Sequence, residues 1–124
     1  MAITLAATLR NNRLDQITAF AGAGAKLRVY TAAYAAVLYE SVCSATLAPA
    51  ASGGVLTANV IANATATGVG VAAIARLYKA DGTTMVTEGL TVGTSGTNIV
   101  ITNTTIAIND VVTTSSFTIT EGNP

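Results

Sequence analysis

Hydrophobic and polar positions alternate with a period of two along most of this chain, and follow a helical period in only one stretch. In residues 4–21, TLAATLRNNRLDQITAFA, Leu14, Ile17 and Phe20 recur at intervals of three, and Leu5 and Leu9 at an interval of four. That spacing predicts a short helix with one buried face. Asn11 and Asn12 weaken its middle, so the helix is expected to begin nearer Leu9, after an extended arm. Gly22 and Gly24 supply its stop. Arg10, Arg13 and Asp15 fall on the solvent side of this pattern. Such a helix serves either as a lid over one end of a β-fold or as an arm docked on a neighbouring subunit.

The period-two stretches predict strands. KLRVYT (26–31) alternates Leu27 and Val29 with Arg28 and Tyr30, and a second strand is expected over 38–48. PAASGG (49–54) is a loop by composition. Residues 55–62 form the next strand, with Leu56, Ala58 and Val60 on one side and Thr57, Asn59 and Ile61 on the other. A Thr/Ala/Gly connection (64–70) leads to a strand over 71–79 and a hairpin turning at Asp81-Gly82. A three-residue turn, with Gly82 left-handed, would pair Leu77 with Met85. It would set Ala75, Leu77 and Met85 on one face, and Arg76, Tyr78, Thr84 and Glu88 on the other, Arg76 within diagonal reach of Glu88. A two-residue turn would pair Leu77 with Val86 instead. After a glycine-rich loop (92–98), short strands follow at 99–102 and 105–108, with a turn at Asn109-Asp110. The last strand, 111–120, points Phe117 and Ile119 inward.

Seven to nine short strands with turns every 8–12 residues fit an all-β, single-domain β-sandwich or jelly-roll-like fold with one short N-terminal helix. The organisation is an arm and helix (1–24), a β-body (25–120) and a tail (121–124).

Composition changes this picture in one respect. The chain has 124 residues, 51% of them hydrophobic and 10% charged, with no net charge. About a quarter is the usual charged share. Charge depletion is typical of interface cores, so a surface covered in an assembly is expected. The uncharged run 41–75 is too interrupted by Pro49, Gly53, Gly54, Asn59 and Asn63 to span a membrane. The first residues lack the pattern of a secretory signal, so folding in a cytoplasm is expected.

Candidate chemistry is sparse. With no histidine and one cysteine, Cys43, the chain lacks the usual Ser-His or Cys-His pairs and the ligands of a zinc site. Cys43 is expected to be a small buried hydrophobe. AGAGAK (21–26) departs from phosphate-loop spacing and follows a helix rather than a strand. The sequons at Asn63 and Asn103 are chance products of a threonine-rich chain. Arg10, Arg13, Lys26 and Arg28 make the first quarter basic, which suits a solvated face or an acidic neighbour better than nucleic acid, since aromatic interleaving is weak. No catalytic, cofactor-binding or metal-binding residue is assigned, and no enzymatic activity, cofactor or nucleic-acid or membrane partner is expected.

Three stretches together carry a resemblance: LRNNRLDQITAF (9–20) followed by LRVYT (27–31); ARLYKADGTTMVTEGLTV (75–92); and NTTIAINDVVTTSSFTIT (103–120). They resemble small virion proteins encoded among the head genes of tailed bacteriophages. The RLYKADGT hairpin is the most specific of the three, and residues 32–70 lie outside the likeness. The resemblance implies a virion protein of capsid decoration or cement type, bound to the major capsid protein on the capsid surface and to copies of itself. A head–tail or tail structural protein, or a receptor- or glycan-binding module, are the alternatives. The first eight residues and the tail are the segments expected to reach neighbouring subunits.

Overall fold

A computed structural model describes residues 6–120. The chain is mostly β, with one helix and a curled, mixed sheet. Helix α1 (Ala7–Ala21) precedes β1 (Lys26–Tyr30) and β2 (Val37–Val42), which pair antiparallel. β3 (Val55–Thr57), β4 (Ala64–Thr65) and β5 (Gly70–Val71) are short. The hairpin strands β6 (Ile74–Tyr78) and β7 (Met85–Gly93) follow, then β8 (Ile99–Ile101), β9 (Thr105–Ile106), β10 (Val111–Val112) and β11 (Thr114–Thr120). Seven strands form one sheet in the order β2-β1-β6-β7-β8-β11-β3. β4 pairs with β10 and β5 with β9, so 64–72 and 104–112 run together as an irregular two-stranded ribbon.

The alternation in the sequence becomes the two faces of the sheet. Leu27 and Val29 of β1, Ala75 and Leu77 of β6, Leu90 and Val92 of β7, Ile99 and Ile101 of β8, Leu56 of β3 and Phe117 of β11 are buried in one hydrophobic core. Burying a leucine side chain contributes roughly 2 kcal/mol. The edges of the sheet are bridged by residues 58–68. The Ala58 N–H donates to the Phe117 carbonyl at 2.8 Å, the Ala62 N–H to Val42 at 3.2 Å, and the Thr67 N–H to Leu38 at 2.9 Å. That bridge closes the curl. At Gly68 a side chain is excluded, because a Cβ would lie 2.3 Å from the Val37 carbonyl oxygen.

β7 and β8 are the only parallel neighbours among the described strands, joined by the five residues Thr94–Asn98. Parallel strands ordinarily need a crossover of about a dozen residues. Here pairing lasts two rungs, Val92↔Ile99 and Gly93↔Val100, and Asn98 supplies the rest. Its Oδ1 accepts from the Thr91 N–H and hydroxyl, both at 3.0 Å, and its Nδ2 donates to the Thr118 carbonyl at 3.1 Å. One side chain thus ties β7, β8 and β11 together.

α1 packs against β3 and β7 through Leu14, which is fully buried, with Ile17 and Ala21 beside it. It ends at Gly22, φ +69°, as expected. Two expectations for this helix are corrected. Phe20 and Leu9 are about half-exposed and not part of the buried stripe. Asp15 is not a solvated charge: its Oδ1 accepts the Ala51 N–H at 2.7 Å, and one turn earlier Asn11 Oδ1 accepts the Gly54 N–H at 2.8 Å. The helix carries the polar groups that hold loop 51–54. The contacts expected of residues 1–5 and of the tail lie outside the described residues.

Three strand expectations also change. The strand over 38–48 stops at Val42, because Lys26↔Val42 is the last rung β1 can offer. The strand over 55–62 stops at Thr57; the chain then crosses toward β2, its parity resets, and Val60 is 90% exposed while Ile61 is buried. At its tip the hairpin keeps the register of the two-residue turn, with Tyr78 opposite Met85, and a bulge beyond Tyr78 then carries Leu77 past both considered partners. Tyr78 pairs with Met85 and Leu77 with Thr87, with irregularities between them, so Met85 shares the outer face with Tyr78 and Val86 packs against the core. The Asp81 carboxylate holds the tip by accepting the N–H groups of Thr83 and Thr84 and the Thr84 hydroxyl, and the shift itself lies in the bulge between Leu77 and Tyr78. Gly82 has positive φ, +73°, as expected.

Cys43 is buried, as expected, and burial pushes its thiol up to about 11. Burial likewise pushes the Tyr39 phenol up to about 12.

Candidate functional site

The richest side-chain chemistry lies on the outer face of β2-β1-β6-β7. Four of the chain's six basic residues, Lys26, Arg28, Arg76 and Lys79, and three of its six acidic ones, Glu40, Asp81 and Glu88, sit on these strands or at the hairpin tip. Three of its four tyrosines, Tyr30, Tyr34 and Tyr78, are there too.

The arrangement follows from a tripeptide pattern used twice. β1 carries Arg28-Val29-Tyr30 and β6 carries Arg76-Leu77-Tyr78. The strands are antiparallel and place Arg28 directly opposite Arg76. Like charges facing each other across a sheet repel. Each arginine instead swings over the diagonal tyrosine of the other strand: Arg28 lies 4.4 Å from the Tyr78 ring centroid, and Arg76 5.4 Å from that of Tyr30. Stacking on a ring face is favourable for guanidinium. Each arginine also meets a carboxylate from the flanking strand twelve residues on, Arg28 with Glu40 and Arg76 with Glu88. The hairpins β1-β2 and β6-β7 are therefore chemical counterparts about an axis between the two arginines.

At the centre the Tyr30 and Tyr78 hydroxyls share a hydrogen bond of 3.3 Å. Burial, then the contact with Tyr78, raises the Tyr30 phenol above its ordinary value. The hydrogen bond with Tyr30, and then the guanidiniums of Arg76 and Arg28, hold Tyr78 below its own, against the opposing effect of burial. Either hydroxyl can donate in this bond.

The two halves differ in how tightly they are closed. Glu40 takes Arg28 through Nε at 2.8 Å and Nη2 at 2.5 Å, and Nη2 also donates to the Gly82 carbonyl at 3.2 Å. Arg76 reaches Glu88 through Nε alone, at 3.3 Å, and the Glu88 side chain is 54% exposed. In place of a second acceptor, Arg76 has a second ring, with the Tyr34 centroid 3.8 Å away. Tyr34 stands edge-on to Tyr30 at 5.2 Å, and its hydroxyl accepts the Gly89 N–H at 2.8 Å. It is delivered by a turn in which Ala33 and Tyr34 both have φ +57°. Two consecutive left-handed residues other than glycine cost on the order of 1–3 kcal/mol each.

Of the charges singled out in the hairpin sequence, Arg76 and Glu88 meet as expected. Lys79 turns away to the Phe20 ring at 4.6 Å, and Asp81 is occupied by its own turn. The basic first quarter divides: Lys26 and Arg28 join Glu40, while Arg10 and Arg13 stay on α1. Tyr30, Tyr34 and Glu40 had no role in the sequence reading. The repeated Arg-X-Tyr was the available signal for Tyr30, but nothing local marks Tyr34.

A second surface contrasts with this one. On the ribbon, Thr65, Thr67, Val69 and Val71 on one strand and Thr105 and Val111 on the other are exposed, while Ala64, Ala66, Ala72, Ile106 and Val112 are buried. Asp110 is the only charged residue of 64–72 and 104–112, and its Oδ2 accepts the Ala107 N–H at 2.9 Å. A shallow depression beside it is lined by Thr102, Asn103, Ile106, Asp110 and Val112.

Among the described residues no three of Cys, Asp and Glu come together as metal ligands, and no helix is long and apolar enough to cross a membrane. The tyrosine–arginine face offers guanidinium donors and aromatic planes, the equipment of a binding surface. No protein-family model, curated protein or solved structure matches this chain.

Proposed function

We propose that the protein is a structural virion component of a tailed bacteriophage, a decoration or cement protein bound outside the assembled capsid. The observation that carries this reading is the division of its surface: a charged, tyrosine-clad face and, on other strands, a threonine–valine ribbon nearly free of charge. Charge-depleted surface suits burial against another protein. The resemblance of residues 9–31, 75–92 and 103–120 to phage head-gene products supplies the assembly. In this reading the ribbon lies against the major capsid protein and bridges adjacent subunits, and the curled sheet and ribbon act as the two layers of a sandwich-like body. Many copies on one shell add together, so a modest energy per copy suffices.

Quantitative mass spectrometry of purified particles tests it. Decoration requires the protein in hundreds of copies per head, and heads lacking it should break at lower temperature or under osmotic shock. A copy number near a dozen would assign it to the head–tail junction or tail instead. Absence from the particle, with binding to host glycans, would make it a receptor-binding module.

A further inference from the structure

The two halves of the tyrosine–arginine face are built from the same parts, so their differences carry information. The Arg28 half is complete, with Nε and Nη2 both on Glu40 and Nη2 also on a backbone carbonyl. In the Arg76 half the carboxylate is met through Nε alone, and Glu88 stands more than half in solvent. Yet this is the half in which the backbone holds two left-handed residues to lay the Tyr34 ring on the guanidinium. A structural ion pair has no need of that strain. An arginine held over the Tyr34 ring, with the perpendicular Tyr30 ring beside it, has its orientation fixed in advance, and preorganisation raises affinity for whatever it receives. Tyrosine and arginine together are the residues most enriched at binding hot spots.

We propose that Arg76, flanked by Tyr30 and Tyr34, is a docking point for a carboxylate presented by an acidic segment of a partner protein. The planar guanidinium matches a carboxylate in geometry and charge. Glu88 holds the place when no partner is present and swings into solvent when the incoming carboxylate takes Arg76. Lys79 turns away to the Phe20 ring and Lys26 reaches Glu40, so the charge that would receive an anionic partner is that of Arg76 itself. Arg28, already closed by Glu40, serves as the internal reference. The proposal stands apart from the capsid reading and requires only an acidic partner.

The test is an amide and arginine-Nε NMR titration of the 15N-labelled full chain with acetylated hexaglutamate, with hexaglutamine and a short oligothymidylate as comparison probes. Hexaglutamate should shift the Arg76 Nε–H and the amides of Tyr34 and Gly89, with an effect that weakens as salt rises. Arg76→Gln should weaken binding by about tenfold, the worth of one charge-assisted contact. Glu88→Gln should strengthen it several-fold by removing the internal competitor, whereas loss of a merely structural pair would leave affinity unchanged. Val111→Ala, on the ribbon and away from this face, should leave affinity unchanged. An unaltered spectrum away from the site establishes that each variant is folded, and the Glu88→Gln result stands even if Arg76→Gln does not fold. Shifts confined to other surfaces, an equal response to hexaglutamine, tighter binding of the oligothymidylate at the same residues, or no gain from Glu88→Gln would overturn the proposal.

Discussion

The tyrosine–arginine face and the threonine–valine ribbon are both solvent-facing β-surface, yet they are built on opposite principles. On the face, side chains are long and interlocked, and neighbours satisfy one another: Glu40 closes Arg28, the Tyr30 and Tyr78 hydroxyls bond each other, and Tyr34 covers Arg76. On the ribbon, exposed side chains are short, and the described hydrogen bonds are mainly those of the backbone and of turns. The face gains its order from side-chain chemistry and the ribbon from backbone pairing. Substitutions should therefore act differently in the two places.

The largest effect should come from beneath the face. Leu27 is fully buried under it, and Leu27→Ala should cost about 2–5 kcal/mol in urea unfolding, from lost transfer energy and the cavity left behind. The corresponding cut on the outer side of the ribbon, Val111→Ala, should change stability by less than about 0.5 kcal/mol, because Val111 is 68% exposed. Equal costs would break the comparison.

Alkaline titration comes next, and probes the interior both surfaces share. The Cys43 thiol stands at about 11 against an ordinary 9, and the Tyr39 phenol at about 12 against 10. Both values are raised, so the folded state holds these protons more tightly. That stabilisation is complete below pH 9 and is lost as pH climbs through 9 to 12. Each group accounts for roughly 3 kcal/mol over its window. Cys43→Ala should flatten the lower part of the loss in a series of unfolding curves, and Tyr39→Phe the upper part.

The ribbon has one point of rigidity. Gly68→Ala would press a methyl group onto the Val37 carbonyl and should destabilise by about 1–3 kcal/mol, read as a lowered melting temperature. The smallest effects separate the halves of the face. Glu40→Gln should cost about 1–2 kcal/mol, because it loosens a closed, part-buried pair. Glu88→Gln should cost under about 0.5 kcal/mol, since its partner contact is exposed. If the two costs are equal, the face has no open half.

Much of the face was legible in the sequence. Strand β1, the hairpin, the left-handed Gly82 and the meeting of Arg76 with Glu88 follow from alternation and turn chemistry. What could not be read was register. A bulge between Leu77 and Tyr78 moves Leu77 past Met85 and Val86 to Thr87, a shift that alternation alone does not encode. Tyr34 was hidden for a different reason: its place depends on positive φ at Ala33 and at itself, and alanine and tyrosine give no local sign of that. The ribbon was harder still. Residues 58–68 cross from one sheet edge to the other, so the inward parity set at Leu56 does not persist to Val60. Small residues gave that stretch no competing pattern, and β4 and β5 are too short to announce themselves.

Loop 51–54 has a consequence for handling the molecule. Asn11 and Asp15, early in α1, grip this loop, and Val55 immediately after it pairs with Thr120 at the end of β11. The first and last described segments therefore leave the body at one corner, beside β3, the strand farthest in sheet order from β2. A label or surface linkage placed at Ala7 or at Thr120 attaches at that same corner. Exchanging a linkage at Ala7 for one at Thr120 should thus present the same orientation to a binding partner, and a difference between the two would report on the linker and not on the fold.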